Sequence, residues 1–367
     1  MKVPFVDLKK QYLSIKNEID EAIGNVFHET AFIGGKFPSI FEHDFAAAYG
    51  AKHCISVANG TDAIYIALKM LGIGEGDEVI TTACSWISTS GTISQTGAIP
   101  IFIDIDEYFL IDTSKIEAKI TSKTKAILPV HLYGQMADIS TIQSICDKHD
   151  LYLVEDCAQA HFSEIDNRKA GLTGVAGTFS FYPGKNLGAY GDAGCILTND
   201  DKLALKIRQY SNHGGIQKHQ HHTLGINSRM DGLQAAILSV KLPYINEWTT
   251  SRRKAAAHYF QLLKAIPQIK LPKVKENGKH VFHLYVIEVE QRTDLQNYLQ
   301  KNGIDTAIHY PTPLPFLKCY KQLELEETAF PIATTKQHKI LSLPIFPEIT
   351  EEQIKFVCMK INQFYEN

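Results

Sequence analysis

Apolar residues in the first two thirds of this chain come in short runs separated by turn or helical stretches. The runs Glu78 to Thr81, Ile99 to Ile103, Lys125 to Val130, Leu151 to Glu155, Thr178 to Phe181 and Gly194 to Thr198 read as strands of a mostly parallel sheet covered by helices. A further short strand, Cys54 to Val57, leads into a helix that starts at Thr61-Asp62. That helix carries Ile64, Ala67, Leu68 and Leu71 inward and ends at Gly72 and Gly74. Tyr12 to Val26 forms an amphipathic opening. From Arg229, the residues Leu233, Ala236, Ile237, Val240 and Ile245 fall near helical spacing, which predicts a long helix interrupted by Pro243. Beyond it, Phe282 to Val289 alternates as a strand, Arg292 to Lys301 reads as a helix, Asp305 to His309 as a returning strand, and Glu351 to Phe364 as a closing helix. Pro311 to Pro315 reads as a proline-rich loop. The expected organisation is an α/β domain over residues 1–245, with a mostly parallel mixed sheet flanked by helices, and a smaller C-terminal α+β domain over 246–367.

Composition narrows the class. At 367 residues and 44% hydrophobic, the chain can bury a large core. It has no apolar run of bilayer length, and Met1 to Lys10 lacks the core of a signal peptide, so the expectation is a cytoplasmic protein without a membrane partner. With 37 basic against 40 acidic residues there is no electrostatic footprint for nucleic acid. Seven scattered cysteines without a CxxC pair indicate neither a disulfide framework nor a zinc site. His213, His219, His221 and His222 lack a carboxylate or cysteine at ligand spacing, so no metal is expected there either.

The chemistry concentrates in two segments. Lys185 lies in a glycine-rich turn, Ser180-Phe-Tyr-Pro-Gly-Lys-Asn-Leu-Gly188, and Asp156 ends the apolar strand Leu151 to Glu155 with Gln159 just beyond. A lone loop lysine is usually solvated, and an aspartate before Ala158 can simply cap a helix. Together they are the two parts a pyridoxal phosphate enzyme needs: an amine to hold the cofactor as a Schiff base, and a carboxylate to keep its pyridine nitrogen protonated. Such a cofactor needs a phosphate site as well. Gly60 and Thr61, where a strand meets a helix start in Ala58-Asn-Gly-Thr-Asp62, are the first choice; Ser180 is placed by its strand to reach the same anion. Trp86 is a candidate to lie on the cofactor ring.

These segments, with Pro4-Phe-Val-Asp-Leu8, Pro129-Val-His-Leu-Tyr-Gly-Gln135, Val154-Glu-Asp-Cys-Ala-Gln-Ala160 and Gly225-Ile-Asn-Ser-Arg-Met-Asp231, resemble in order the DegT/DnrJ/EryC1/StrS family of pyridoxal phosphate sugar aminotransferases, from the first residues to about Leu343-Pro344. The resemblance implies a type I aminotransferase fold and a homodimer with active sites shared between subunits. It also implies amino transfer, usually from glutamate, to a keto sugar carried on a nucleotide. In its terms Lys185 and Asp156 are catalytic; Gly60, Thr61, Trp86, Gln159, Ser180 and Asn227 bind the cofactor, with Asn227 reaching the phosphate of the neighbouring subunit. The segment Tyr210 to His222 and Ile308-His-Tyr-Pro311 look more like members acting on 3-keto sugars, which implies Tyr182, His309 and Tyr310 at the sugar and Lys218 at the diphosphate. A dTDP-3-keto-6-deoxyhexose is the favoured acceptor. A UDP-linked 3-keto or 4-keto sugar is the alternative, followed by a sugar dehydratase, against which the presence of Lys185 argues, and a non-catalytic cofactor-binding regulator. Two departures stand out: Tyr310-Pro-Thr-Pro-Leu-Pro315, where relatives often have Tyr-Pro-x-Pro followed by His, and Phe162 where glycine is common, which is expected to alter the pocket wall.

Overall fold

A computed structural model describes residues 1–366. Helices α1 (Leu8–Ser14), α2 (Lys16–His28) and α3 (Lys36–Tyr49) precede β1 (His53–Val57), α4 (Gly60–Met70), β2 (Glu78–Thr82), α5 (Ile87–Thr96), β3 (Ile99–Ile103), β4 (Thr124–Leu128), α6 (Ile139–His149) and β5 (Tyr152–Asp156). A small hairpin, β6 (Glu164–Ile165) and β7 (Arg168–Lys169), leads to β8 (Ala176–Ser180), β9 (Gly194–Thr198), α7 (Asp201–Ser211), α8 (Gly232–Lys241) and α9 (Ile245–Leu263). The rest comprises β10 (Ile269–Lys270), β11 (Gly278–Lys279), β12 (Tyr285–Val289), α10 (Arg292–Lys301), α11 (Pro331–Lys336), β13 (Ile340–Leu343) and α12 (Glu351–Glu366).

Seven strands form the main sheet in the order β1-β9-β8-β5-β4-β2-β3. Pairing is parallel from β3 through β8, and β9 runs antiparallel to both β8 and β1. The strands are apolar almost throughout because helices cover both faces. A second apolar cluster, built from Ala255, Tyr259 and Leu263 of α9, Tyr285 and Ile287 of β12, and Val357 and Ile361 of α12, lies around the three-stranded sheet β10-β12-β13. Val3 joins that cluster and bridges to Ile304, so the first residues of the chain pack with its last third.

The long helix expected from Arg229 starts only at Gly232 and is two helices. Proline has no N–H to continue the ladder, and a 3-10 turn, Leu242–Tyr244, containing Pro243 joins α8 to α9. Asp305 to His309 is not a strand. Only Ala307 bridges to Ser342, and the strand that pairs with β12 on the side away from β10 is β13, whose short Ile-Leu-Ser-Leu run before Pro344 gave no alternation to read. Pro311 to Pro315 ends in a 3-10 turn, Leu314–Phe316.

Parallel pairing brings the carboxyl ends of β2, β5 and β8 to one edge, where open α/β sheets bind ligands. Reversal of β9 adds its start to the same edge: Gly194 pairs with both Val57 and Ser180. A Cβ on Gly194 would lie 2.4 Å from the carbonyl carbon of Asn59, so the glycine lets the start of α4 settle against the start of β9.

Candidate active site

One cavity of about 450 Å³ opens at this edge, and Gly60, Thr61, Trp86, Asp156, Gln159, Ser180, Tyr182, Lys185, His309 and Tyr310 all line it. Lys185 enters on the turn after β8, where its backbone N–H bonds Tyr182 O at 2.8 Å. Burial lowers its ammonium from 10.5 to about 8, against the opposing pull of the Asp156 charge. An amine near this value can take up and release protons at neutral pH.

Asp156 is the last residue of β5 and is buried. Burial raises its carboxyl above the usual value; a backbone N–H from Ala158 at 3.1 Å, the Thr89 hydroxyl at 2.8 Å and the nearby Lys185 charge only partly offset it. A cationic ring nitrogen seated beside it would favour the carboxylate. Gln159 is fixed at both ends: its Oε1 accepts from Tyr133 N at 2.7 Å and its Nε2 donates to the Tyr310 hydroxyl at 3.0 Å.

At the other end of the cavity α4 begins with Asn59 as its cap, rather than Thr61 or Asp62. Asn59 Oδ1 accepts from Asp62 N at 2.8 Å, leaving the N–H groups of Gly60 and Thr61 without helical carbonyls. The Thr61 hydroxyl lies 2.7 Å from that of Ser88. A Cβ on Gly60 would fall 2.5 Å from Ser180 Cβ, so only glycine lets the helix N-terminus and the Ser180 hydroxyl converge on one point. Free N–H groups, hydroxyls and the positive helix end form a phosphate-sized donor set, which fits a phosphorylated cofactor whose ring reaches Asp156.

Trp86 and Tyr182 are each 58% exposed on the rim although they face the cavity. Trp86 stands 5.8 Å from the Tyr310 ring. His309 bonds Ser342 Oγ through Nδ1 at 2.8 Å, stacks on Phe5, and is lowered to about 4 by burial and by Lys185. Asn227 and Lys218 lie outside the cavity and are exposed. Asn227 bridges to Asn212, while its neighbour Ser228 turns inward to donate to Asp62 Oδ2 at 2.6 Å.

Sequence reading missed Ser85, Ser88, Thr89 and Asp192 in the cavity wall. The first three follow or flank Trp86 at helical spacing, and their hydroxyls were the available signal. Phe162 does not alter this wall. It packs against Tyr49 with ring centroids 4.3 Å apart and planes tilted by 35°, and lines a separate cavity with Lys169 and Arg253.

A family model described as the DegT/DnrJ/EryC1/StrS aminotransferase family matches residues 13–362. A "pleiotropic regulatory protein" of Geobacillus stearothermophilus is 47% identical over 100% of both chains. A dTDP-3-amino-3,6-dideoxy-alpha-D-galactopyranose transaminase of Aneurinibacillus thermoaerophilus is 42% identical over 99% of each. Among solved structures, DesV of S. venezuelae superposes with a TM-score of 0.97 at 38% identity, covering 100% of this chain and 99% of its own.

Proposed function

Because the chain belongs to the DegT/DnrJ/EryC1/StrS aminotransferase family, we propose that it moves an amino group from glutamate to a dTDP-3-keto-6-deoxyhexose, giving a 3-amino sugar in two alternating half-reactions. The chain is a pyridoxal phosphate-dependent sugar aminotransferase of the type I fold. Amino transfer is supported by the convergence of Lys185, Asp156 and the α4 N-terminus on one cavity whose open rim holds Trp86, Tyr182, His309 and Tyr310, and the choice of acceptor by the likeness to the dTDP-3-amino sugar transaminase of Aneurinibacillus thermoaerophilus.

Bound pyridoxal phosphate supplies an electron sink for the carbon that loses a proton. Gly60, Thr61 and Ser180 would hold its phosphate, and Asp156 the proton on its ring nitrogen, with Thr89 fixing the carboxylate. Lys185 Nζ is the group placed to carry a proton away from the amino donor and, in the second half-reaction, to deliver one. Trp86 and Gln159 line the same cavity and would contact the ring, while Tyr182, His309 and Tyr310 would meet the sugar.

Asn227 and Lys218, exposed and away from their own cavity, fit roles at the site of a second subunit, at the cofactor phosphate and the sugar diphosphate respectively. Exposed apolar residues nearby, among them Ile216 and the 90% exposed Leu224, suit a homodimer contact. Residues 1–245 would then bind the cofactor and 246–367 close over it. A cytoplasmic address accords with a nucleotide-linked substrate; among the described residues no helix is long and apolar enough to cross a membrane.

The test presents enzyme already charged with the amino group to dTDP- and UDP-linked 3-keto and 4-keto sugars, read by release of the amino sugar. Fastest turnover with the dTDP-3-keto compound is expected; a clear preference for a UDP-linked or 4-keto acceptor would replace it. For the shared site, mixing Lys185→Ala and Asn227→Asp chains with verified subunit exchange should restore activity above both parents, and no restoration would place Asn227 within its own subunit.

A further inference from the structure

One buried cation lies outside the cavity and outside every step above. Lys241, the last residue of α8, is fully buried. No carboxylate among the described residues lies within ion-pair distance of it. Its Nζ instead donates to Gly188 O at 2.7 Å and sits 4.0 Å from the centre of the Tyr190 ring. Burying a lysine in this way carries a desolvation cost that a hydrophobic residue of similar length would avoid. Both of its partners belong to the segment that carries Lys185.

That segment is folded tightly on itself. Ala189 N bonds Phe181 O and Lys185 N bonds Tyr182 O, each at 2.8 Å. A Cβ at Gly188 would lie 2.4 Å from Pro183 O, so Gly188 rests directly on the first residues of the lysine turn. Two turns earlier on α8, Gln234 Oε1 accepts from Tyr190 N at 2.9 Å. Any shift of Gly188 would therefore pass through Pro183 and Tyr182 to Lys185, and α8 is what holds Gly188.

We propose that Lys241 is a positioning residue: by fixing the Gly188 carbonyl and the Tyr190 ring it sets where the Lys185 amine stands against the cofactor and substrate. Burial lowers the Lys241 ammonium to about 7 against the pull of the Glu348 charge, so the amine acts here through its geometry: a donor to the Gly188 carbonyl and a contact with the Tyr190 face at the back of the loop. The inference rests on the reading of Lys185 as the reacting amine. Its first measurement, however, is independent of that reading.

Hydrogen exchange of the amides of Lys185 and Ala189 is compared in the cofactor-loaded parent, Lys241→Met and Lys241→Arg, with the amides of β8 and β9 as internal reference. In Lys241→Met the two loop amides should exchange at least about 10-fold faster while the strands are unchanged. Turnover should fall about 10-fold with KM within twofold, since displacing a reacting group acts on kcat. Lys241→Arg keeps a cation at the same carbonyl in altered geometry and should fall between the parent and Lys241→Met on both readouts. Should Lys241→Met fail to fold, the arginine variant carries the test. Parent-like exchange and kcat in either folded variant, or a loss accounted for wholly by an unfolded fraction, overturns the proposal. If Lys185→Ala keeps its turnover while the loop amides still loosen in Lys241→Met, the clamp stands and the reading of Lys185 falls.

Discussion

Glu155 and Asp156 are consecutive carboxylates at the end of one strand, yet they sit in two opposite kinds of environment. Successive strand residues face opposite sides of the sheet. On one side Glu155 is fully buried among donors: His131 Nε2 and the backbone N–H groups of Gly171, Thr173 and Gly174, all at 2.8 Å. Burial alone would raise its carboxyl, but His131 and the backbone donors overcome that and hold it below the usual value. On the other side Asp156 accepts hydrogen bonds from Ala158 N and the Thr89 hydroxyl and lies near the Lys185 charge, but burial outweighs these and its carboxyl is raised. The difference teaches how a buried carboxylate becomes available to a ligand. A saturated one stabilises the fold, whereas an under-donated one keeps capacity for a partner that the chain does not supply.

The largest effect belongs to Lys185→Ala, which removes the amine that faces Asp156 across the cavity. Turnover should fall by more than about 1,000-fold, covalent capture of the cofactor should be lost, and thermal unfolding should stay near that of the parent. Wild-type turnover in a folded Lys185→Ala protein would remove the lysine from the chemistry.

Next, the two neighbours can be set against each other directly. Asp156→Asn should lower turnover by about 100-fold or more while stability holds or rises, because a desolvated carboxyl has been removed from a cavity. Glu155→Gln should do the reverse. Breaking a buried pair costs about 3 kcal/mol or more in urea unfolding, with kcat per folded molecule within a few-fold of the parent. If both variants lost activity equally with stability intact, the division between a structural and a functional side of β5 would be wrong.

Thr89→Val sharpens the same contrast by taking one of the few donors from Asp156. Its carboxyl should move further up, and turnover should drop about five- to ten-fold, most steeply where pH is low enough to protonate it. An unchanged pH profile would mean that the Thr89 hydroxyl does not act on Asp156.

A stability difference between the cofactor-free parent and Lys185→Met tests the burial of the amine itself. Lys185 titrates near 8 in the fold against 10.5 for the free side chain, so the cost of its buried charge is fully present below pH 8. Between 8 and 10.5 the folded protein releases the proton first, and parent stability climbs. The methionine variant should be more stable by about 2 kcal/mol below pH 8, after allowing for the partial exposure of the lysine, and this advantage should shrink toward pH 10.5. An advantage independent of pH would show that the amine is not desolvated.

Much of this contrast was legible locally. Asp156 stood at the end of an apolar strand, Lys185 in a glycine-rich turn, and Gly60-Thr61 at a strand-to-helix junction, because each is specified by neighbours in the chain. The role of Glu155 was hidden, since its donors come from the segments around His131 and Gly171 to Gly174 and no spacing announces them. Gln159 was visible, but its anchor was not: Tyr133 offers its N–H from a turn with φ of 59°, a backbone state the side chain does not signal.

Local order in the chain therefore determined the strand-and-helix succession of the large sheet, the lysine and aspartate of the cavity, and the glycine at the α4 end of it. These depend on periodicity, on capping and on residues without a Cβ, all of which act over a few positions. Tertiary structure alone decided that Val3 packs with the C-terminal layer, that β13 rather than Asp305 to His309 completes the small sheet, and that Lys241 holds the loop of Lys185. In each of these the partners are dozens to hundreds of positions apart, and only the folded sheet, by closing those distances, makes one residue's position depend on the other.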